Sequence, residues 1–382
     1  VIDVLKTLPL EKPSPDFETF RKVISGAKEA QKVHFAELGI DEEIMQAITE
    51  RFFQEEWIPE KELLDKGFFS DPRTVEQYIR QRVRFFYRMG YDFVPDGFAL
   101  AYFLRRCPKP RQTEDTAILS RGVRSWAEEG VGLIRSWEDF ETFPWKDIQP
   151  SEAELENYYT VMAKSLPDGM KVAIAHSLYE QVMEIILGYE GLFFLMADNP
   201  PLVKEVINRW GEMIYNFYQK TVSLEIVGVI FHADDFGHKT GLIVSPEFLR
   251  QHIFPWLKKY ASLAHGQGKM FWLHSCGNLS KIMDELIDDV KIDAFHSFQD
   301  EIIPVIEFKK RYGDKIGILG GVDMDKLCRL ENTELRQYVR SILQECMPYR
   351  YALGSGNSIA NYIPLENYLA MLEEGLNWFD KQ

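Results

Sequence analysis

His274, Ser275 and Cys276 close an apolar run, Met270-Phe-Trp-Leu273, and are followed at once by Gly277. The run has the length and residue types of a strand, and Gly277 can take the backbone angles of a sharp exit. Residues two apart on a strand point to the same side, so an imidazole and a thiol are presented together where the strand ends. Zinc accepts both donors, usually from three protein ligands with one open position when it is catalytic. A buried His beside a buried Cys is also ordinary core filling, so the pair gains meaning only from its surroundings.

Those surroundings repeat the pattern. Lys171 to Ala175, Val227 to Phe231, Ala294 to Phe298, Ile316 to Leu319 and Tyr351 to Leu353 are further short apolar runs, and polar residues follow each. His176 and Ser177 follow the first. His232, Asp234 and Asp235 follow the second, His296 and Gln299 belong to the third, and Gly320-Gly-Val-Asp323 follows the fourth. Ser355, Asn357, Asn361 and Tyr362 follow the last. Four of the eight histidines fall in this set, which is the convergence expected of a site built on strand ends. His274, Cys276 and Asp235 are the candidate metal ligands, with Asp234 and His296 the other candidates for a third donor. Asp234, Asp235 and His296 are the candidate catalytic groups. His176, His232, Asn357, Tyr362 and Asp323 are the candidate substrate contacts, the phenol and amide being suited to orienting an oxygen without a change of charge. Each has a plainer reading too: Asp234 or Asp235 as a loop cap, His296 as a satisfied core histidine, Ser355 to Asn357 as turn formers.

The elements that must position these residues alternate. Each run is followed by a helical stretch, two of them opened by Asn199-Pro-Pro and Ser245-Pro-Glu247, and Asp71-Pro72 opens an earlier one that leads to a strand at Tyr91 to Val94. Seven mostly apolar strands alternating with helices predict an α/β fold, a single (β/α)8 TIM barrel. A helical N-terminal lead-in over 1–85 packs on a barrel over 86–382, and Val123 to Trp126 with Val131 to Trp137 forms an added β-hairpin. Arg105 to Arg111 reads as a surface loop. A doubly wound open sheet is the rival, but no glycine fingerprint follows the first strand.

A formal net charge of -15, from 44 Lys+Arg against 59 Asp+Glu, disfavours nucleic acid and anionic membranes as partners. Cys107, Cys276, Cys328 and Cys346 are far apart and suggest no disulfide framework, which fits a reducing, cytoplasmic setting. Neither an export signal nor a membrane span is expected.

The motifs Asp234-Asp-Phe-Gly237, Ser245-Pro-Glu-Phe-Leu-Arg250, His274-Ser-Cys-Gly-Asn278, Gly320-Gly-Val-Asp323 and Ile363-Pro-Leu-Glu-Asn367 resemble the uroporphyrinogen decarboxylase superfamily. The resemblance implies a single β/α barrel. True uroporphyrinogen decarboxylases use no metal and carry an N-terminal Arg-Gln-Ala-Gly-Arg motif, which this chain lacks. The branch of corrinoid-dependent methyltransferases moves methyl groups between a corrinoid protein and a small-molecule donor or acceptor, several members holding zinc by His-x-Cys plus a later Cys. His274 and Cys276 match the first half of that pattern, whereas Ser355 stands where the later thiolate is expected. A serine hydroxyl is a poor zinc ligand, so the third must come from Asp234, Asp235 or His296. The harder donor set favours an oxygen-linked or tetrahydrofolate-linked methyl group over a thiol. The expected function is therefore methyl transfer with zinc and a partner's corrinoid. A decarboxylase of the uroporphyrinogen type is the alternative, and a non-catalytic corrinoid- or tetrapyrrole-binding barrel the second alternative.

Overall fold

A computed structural model describes residues 8–65, 71–106, 111–114, 117, 119, 123–126 and 132–381. Seven parallel strands form one sheet in chain order: β1 (Phe93–Asp96), β2 (Lys171–Ile174), β3 (Val227–Ala233), β4 (Met270–His274), β5 (Ala294–His296), β6 (Gly317–Leu319) and β7 (Tyr351–Ala352). The register sets His274 opposite both Ala233 and His296, so the ends of β3, β4 and β5 lie level.

The sheet curls on itself, because Phe93 of β1 meets Trp272 of β4 edge to face at 5.5 Å, across two intervening strands. One residue or two from every strand joins this inner cluster: Phe93, Ala173, Val229, Phe231, Met270, Trp272, Ala294, Leu319 and Ala352. An eighth stave comes from the N-terminal segment. Phe35 bridges to Leu353 in parallel, the Leu353 N–H donates to the His34 carbonyl (2.8 Å), the Ala36 N–H donates to the Leu353 carbonyl (2.9 Å), and Ala36 adds its methyl to the inner cluster. On the other flank the His34 ring pairs with Asp92, just ahead of β1, at 2.6 Å.

Helix α1 (Phe17–Ile24), capped by Asp16, closes the end of the barrel where the strands begin. Its Phe17, Phe20 and Ile24 enter the inner cluster. The Phe17 N–H donates to the carbonyl of Gly169, ahead of β2, and a Cβ on Gly228 at the start of β3 would lie 2.5 Å from the Phe17 ring. Burying each phenylalanine is worth about 1.5–3 kcal/mol, so this plug is part of the core and leaves only the opposite end open for a site.

Helices α2 (Pro72–Arg88), α3 (Glu152–Ser165), α4 (Pro200–Thr221) and α5 (Phe254–Gly266) stand outside the strands, and the side chains of Asp71 and Ser151 cap the first two. Their apolar faces are buried, including Leu202, Val206 and Trp210 on α4 and Tyr260 on α5. No helix among the described residues is long and apolar enough to cross a membrane.

Three expectations need correction. The hairpin pairs Val123–Trp126 with Arg111–Glu114, not with 131–137. Trp137 instead opens a helix, Trp137–Thr142, because the Ser136 hydroxyl accepts from the Asp139 N–H; Val131 lies outside the described residues. The basic segment from Arg105 to Arg111 is not one loop: Arg105 and Arg106 end the helix Phe98–Arg106, Arg111 begins a strand, and 107–110 lie outside the described residues. The strand from Ala294 stops at His296, because Ser297 takes a φ of 110°, which no strand allows.

Candidate metal centre

Asp235, His274 and Cys276 come together at the open end of the barrel, their ligand atoms all within 4.8 Å of one another. His274 Nε2 is 3.5 Å from both the Cys276 sulfur and Asp235 Oδ1. The Cys276 N–H donates to Asp235 Oδ1 at 2.9 Å, which ties the loop after β3 to the loop after β4. Gly277, at φ 89°, makes this approach possible: a Cβ there would lie 2.1 Å from the backbone of Gly237. The sulfur also receives the Asn357 amide (3.2 Å) and the Ser297 hydroxyl (3.6 Å). Ser297 holds a strained backbone to reach it.

Hydrogen bonding fixes the protons of the two histidines. His296 Nε2 faces the Ser355 carbonyl at 3.2 Å, which can only accept, so Nε2 carries the proton and Nδ1 of the neutral ring is an acceptor. His274 Nδ1 lies 2.7 Å from that acceptor and must donate to it. His274 Nε2 is then the nitrogen turned toward Cys276 and Asp235, where a metal would take the place of a proton. Metal-binding histidines characteristically donate their other ring N–H to a fixed acceptor, and here a second histidine is that acceptor. Burial and the neighbouring His274 charge hold His296 well below the usual histidine range, as the acceptor role requires. Burial disfavours a charged His274 as well, but the Cys276 sulfur and the Asp235 carboxylate outweigh it and push the ring up to about 10. Burial alone would raise the Asp235 carboxyl, yet His274 and the Cys276 N–H together hold it low.

One nitrogen, one sulfur and one oxygen donor are thus gathered around a point that attracts positive charge, with the Asp235 side chain 32% exposed toward the opening. The donor set suits zinc with an open position. Ser355 takes no part as a donor. Its hydroxyl is engaged with Glu37 and with the Asn357 carbonyl (2.8 Å), and its backbone carbonyl serves His296.

The structure brings His296 and Asn357 to this centre, and leaves other candidates elsewhere. Asp234 is fully buried, accepting from the Ser177 hydroxyl (3.0 Å) and the N–H groups of Leu178 (2.9 Å) and Glu180 (3.1 Å) through one oxygen. Its other oxygen meets His232 Nε2 at 2.9 Å, while His232 Nδ1 meets the Tyr218 hydroxyl of α4 at 3.0 Å. His232 therefore faces the helices, as does His176, which lies against Trp210 and Phe217 of α4 and is lowered by burial to about 3. Asp323 caps the helix Met324–Arg329 and accepts from the Asp300 N–H. Tyr362 is 46% exposed, and its carbonyl faces the Cys328 sulfur.

Two residues were not singled out in the sequence. Glu180, in the short helix Tyr179–Gln181 after β2, lies close enough to feel the site; burial and the charges of Asp235, Glu184 and Asp234 raise its carboxyl well above the usual range. Glu37, on the stave beside β7, is fully buried against Ser355. Glu180 falls four residues after the first strand-end histidine, a signal that was there to use, whereas Glu37 sits among residues that look like a helical lead-in.

No family model matches the chain, and no curated protein matches it. Among solved structures, a methyltransferase from Methanosarcina mazei superposes with a TM-score of 0.66 at 14% identity, covering 96% of this chain and 100% of that one. A putative vitamin-B12 independent methionine synthase from Listeria monocytogenes gives a TM-score of 0.47 at 11% identity over 97% of this chain and 99% of that one. At such identities the first likeness shows a shared fold.

Proposed function

We propose that the chain is a methyltransferase that moves a methyl group between a small-molecule donor or acceptor and the corrinoid of a partner protein, with zinc held by Asp235, His274 and Cys276. The observation that carries this reading is the trio itself: three donors of the right kinds within 4.8 Å, with His274 Nδ1 committed to His296 and Nε2 turned toward the other two. The Methanosarcina fold neighbour, a methyltransferase by its printed name, supports the same reaction class.

Bound zinc would act as a Lewis acid on the substrate atom that carries or receives the methyl group. The chain's own residues supply the rest. His274 and Cys276 fix two donors on one strand end, and Asp235 supplies the oxygen donor that a second thiolate would otherwise provide. A carboxylate in place of a thiolate keeps the formal charge but hardens the set, which suits a methyl group bound to oxygen. Asn357 and Ser297 donate hydrogen bonds to the sulfur and restrain it. A reducing compartment, which we take to be the cytoplasm, would keep Cys276 reduced and available as a ligand.

The test is incubation of the zinc-loaded protein with reduced corrinoid and a panel of methoxylated aromatics, methanol, methyltetrahydrofolate and methylated thiols, followed by visible absorbance. Methylation of the corrinoid from an oxygen-linked donor is expected. Release of carbon dioxide from uroporphyrinogen with no corrinoid methylation would replace the reading with decarboxylation.

A further inference from the structure

We propose that Glu37, from the N-terminal stave, is a positioning residue for the metal centre, clamping the one loop that steadies both His274 and Cys276. The inference rests on the reading of Asp235, His274 and Cys276 as metal ligands. Glu37 touches none of them. It receives the Ser355 N–H at 2.8 Å through Oε1 and meets the Ser355 hydroxyl through Oε2. From Ser355 two hydrogen-bonded arms run to the centre. In one, the Ser355 carbonyl accepts from His296 Nε2 (3.2 Å), and His296 Nδ1 accepts from His274 Nδ1 (2.7 Å). In the other, the Ser355 hydroxyl reaches the Asn357 carbonyl (2.8 Å), and the Asn357 amide donates to the Cys276 sulfur (3.2 Å).

A proton count gives the direction of the second arm. The Ser355 hydroxyl has one proton and two acceptors within reach, Glu37 Oε2 and the Asn357 carbonyl; the carbonyl can only accept. Both contacts are satisfied when Glu37 is the neutral acid, donating to Ser355 Oγ while Ser355 donates to Asn357. The packing is made for this clamp: a Cβ on Gly354 would lie 1.8 Å from the Ala36 carbonyl, so glycine lets the Ser355 loop close onto Glu37. Glu37 is 0% exposed, and among the described residues its hydrogen bonds run to Ser355. A carboxyl kept so far from water and bonded to the loop that orients a metal ligand is accounted for by that alignment.

The test compares Glu37→Leu, Glu37→Gln and Ser355→Ala with wild type by two readouts. Zinc affinity is measured by competition with a chromophoric chelator. Histidine tautomers are read in the metal-free proteins from imidazole nitrogen NMR. Glu37→Leu should weaken zinc about tenfold, the lower end of what outer-shell changes cost, and should mix the His296 tautomers. Glu37→Gln, whose amide can both donate to Ser355 Oγ and accept its N–H, should restore affinity and the single Nε2–H tautomer. Wild-type affinity and a single His296 tautomer in Glu37→Leu would overturn the proposal. Should Glu37→Leu fail to fold, Ser355→Ala decides, since it severs only the hydroxyl links: weakened zinc supports the clamp and unchanged zinc refutes it. A wild type that takes up no zinc would defeat the metal reading, and the tautomer comparison would still decide the role of Glu37.

Discussion

If Glu37 is the neutral acid in the folded chain, its replacement by glutamine should change how stability depends on pH. Burial pushes the carboxyl from 4.5 up to about 8 against the pull of the two Ser355 donors. Below pH 4.5 the group is protonated in both states and costs nothing. Between 4.5 and about 8 the unfolded chain releases this proton while the folded chain keeps it, so stability falls as pH rises through that window. Above about 8 both states are ionised and the loss is complete. At about 1.4 kcal/mol per pH unit the full loss is on the order of 4–5 kcal/mol. Glu37→Gln cannot ionise and escapes it, while every other titrating group contributes alike to both proteins. Urea denaturation of the metal-free proteins at intervals from pH 4.5 to 9 gives the two curves. The variant should gain on wild type steadily up to about pH 8 and then run parallel. Curves that run parallel throughout would mean that Glu37 is ionised in the folded protein, and the direction assigned to the Ser355 hydrogen bonds would be wrong.

Other substitutions separate the site from the scaffold. Cys276→Ser should lower zinc affinity by about a hundredfold or more while leaving the urea midpoint of the metal-free protein nearly unchanged, since the sulfur is a ligand and packs little core; zinc titration and denaturation check the two halves. Asp234→Ala leaves the N–H groups of Leu178 and Glu180 and the His232 ring without their buried acceptor, and should cost about 3 kcal/mol in urea denaturation. Unchanged stability with lost turnover would instead return Asp234 to the chemistry. Phe20→Ala, at a side chain 0% exposed in the barrel plug, should cost about 3–5 kcal/mol by the same measure.

The strands were legible because buried parallel strands are apolar on both faces: the run from Met270 to His274 matches its strand, and the other runs begin and end within two residues of theirs. Polar residues after apolar runs likewise mark the strand ends. What a linear reading loses is which side of the strand each faces. His232 and His274 both lie at the ends of strands, one before the last residue of β3 and at the last of β4, yet His232 points outward to Tyr218 and His274 reaches the barrel mouth. The phase is set by residues such as Phe231 and Trp272, which face inward with their neighbours across the barrel. The eighth stave was hidden for a different reason. His34-Phe-Ala36 is too short for a strand signal and pairs through one bridge with Leu353, more than three hundred residues later, so Glu37 could not be connected with Ser355 from local pattern.

Zinc-edge X-ray absorption on metal-loaded protein tests the central claim most directly. The Asp235–His274–Cys276 centre predicts one zinc per chain with a single sulfur at about 2.3 Å and nitrogen or oxygen neighbours at about 2.0–2.2 Å, and loss of the sulfur shell in Cys276→Ser. A first shell with two sulfurs, or a shell that Cys276→Ser leaves unchanged, would contradict it.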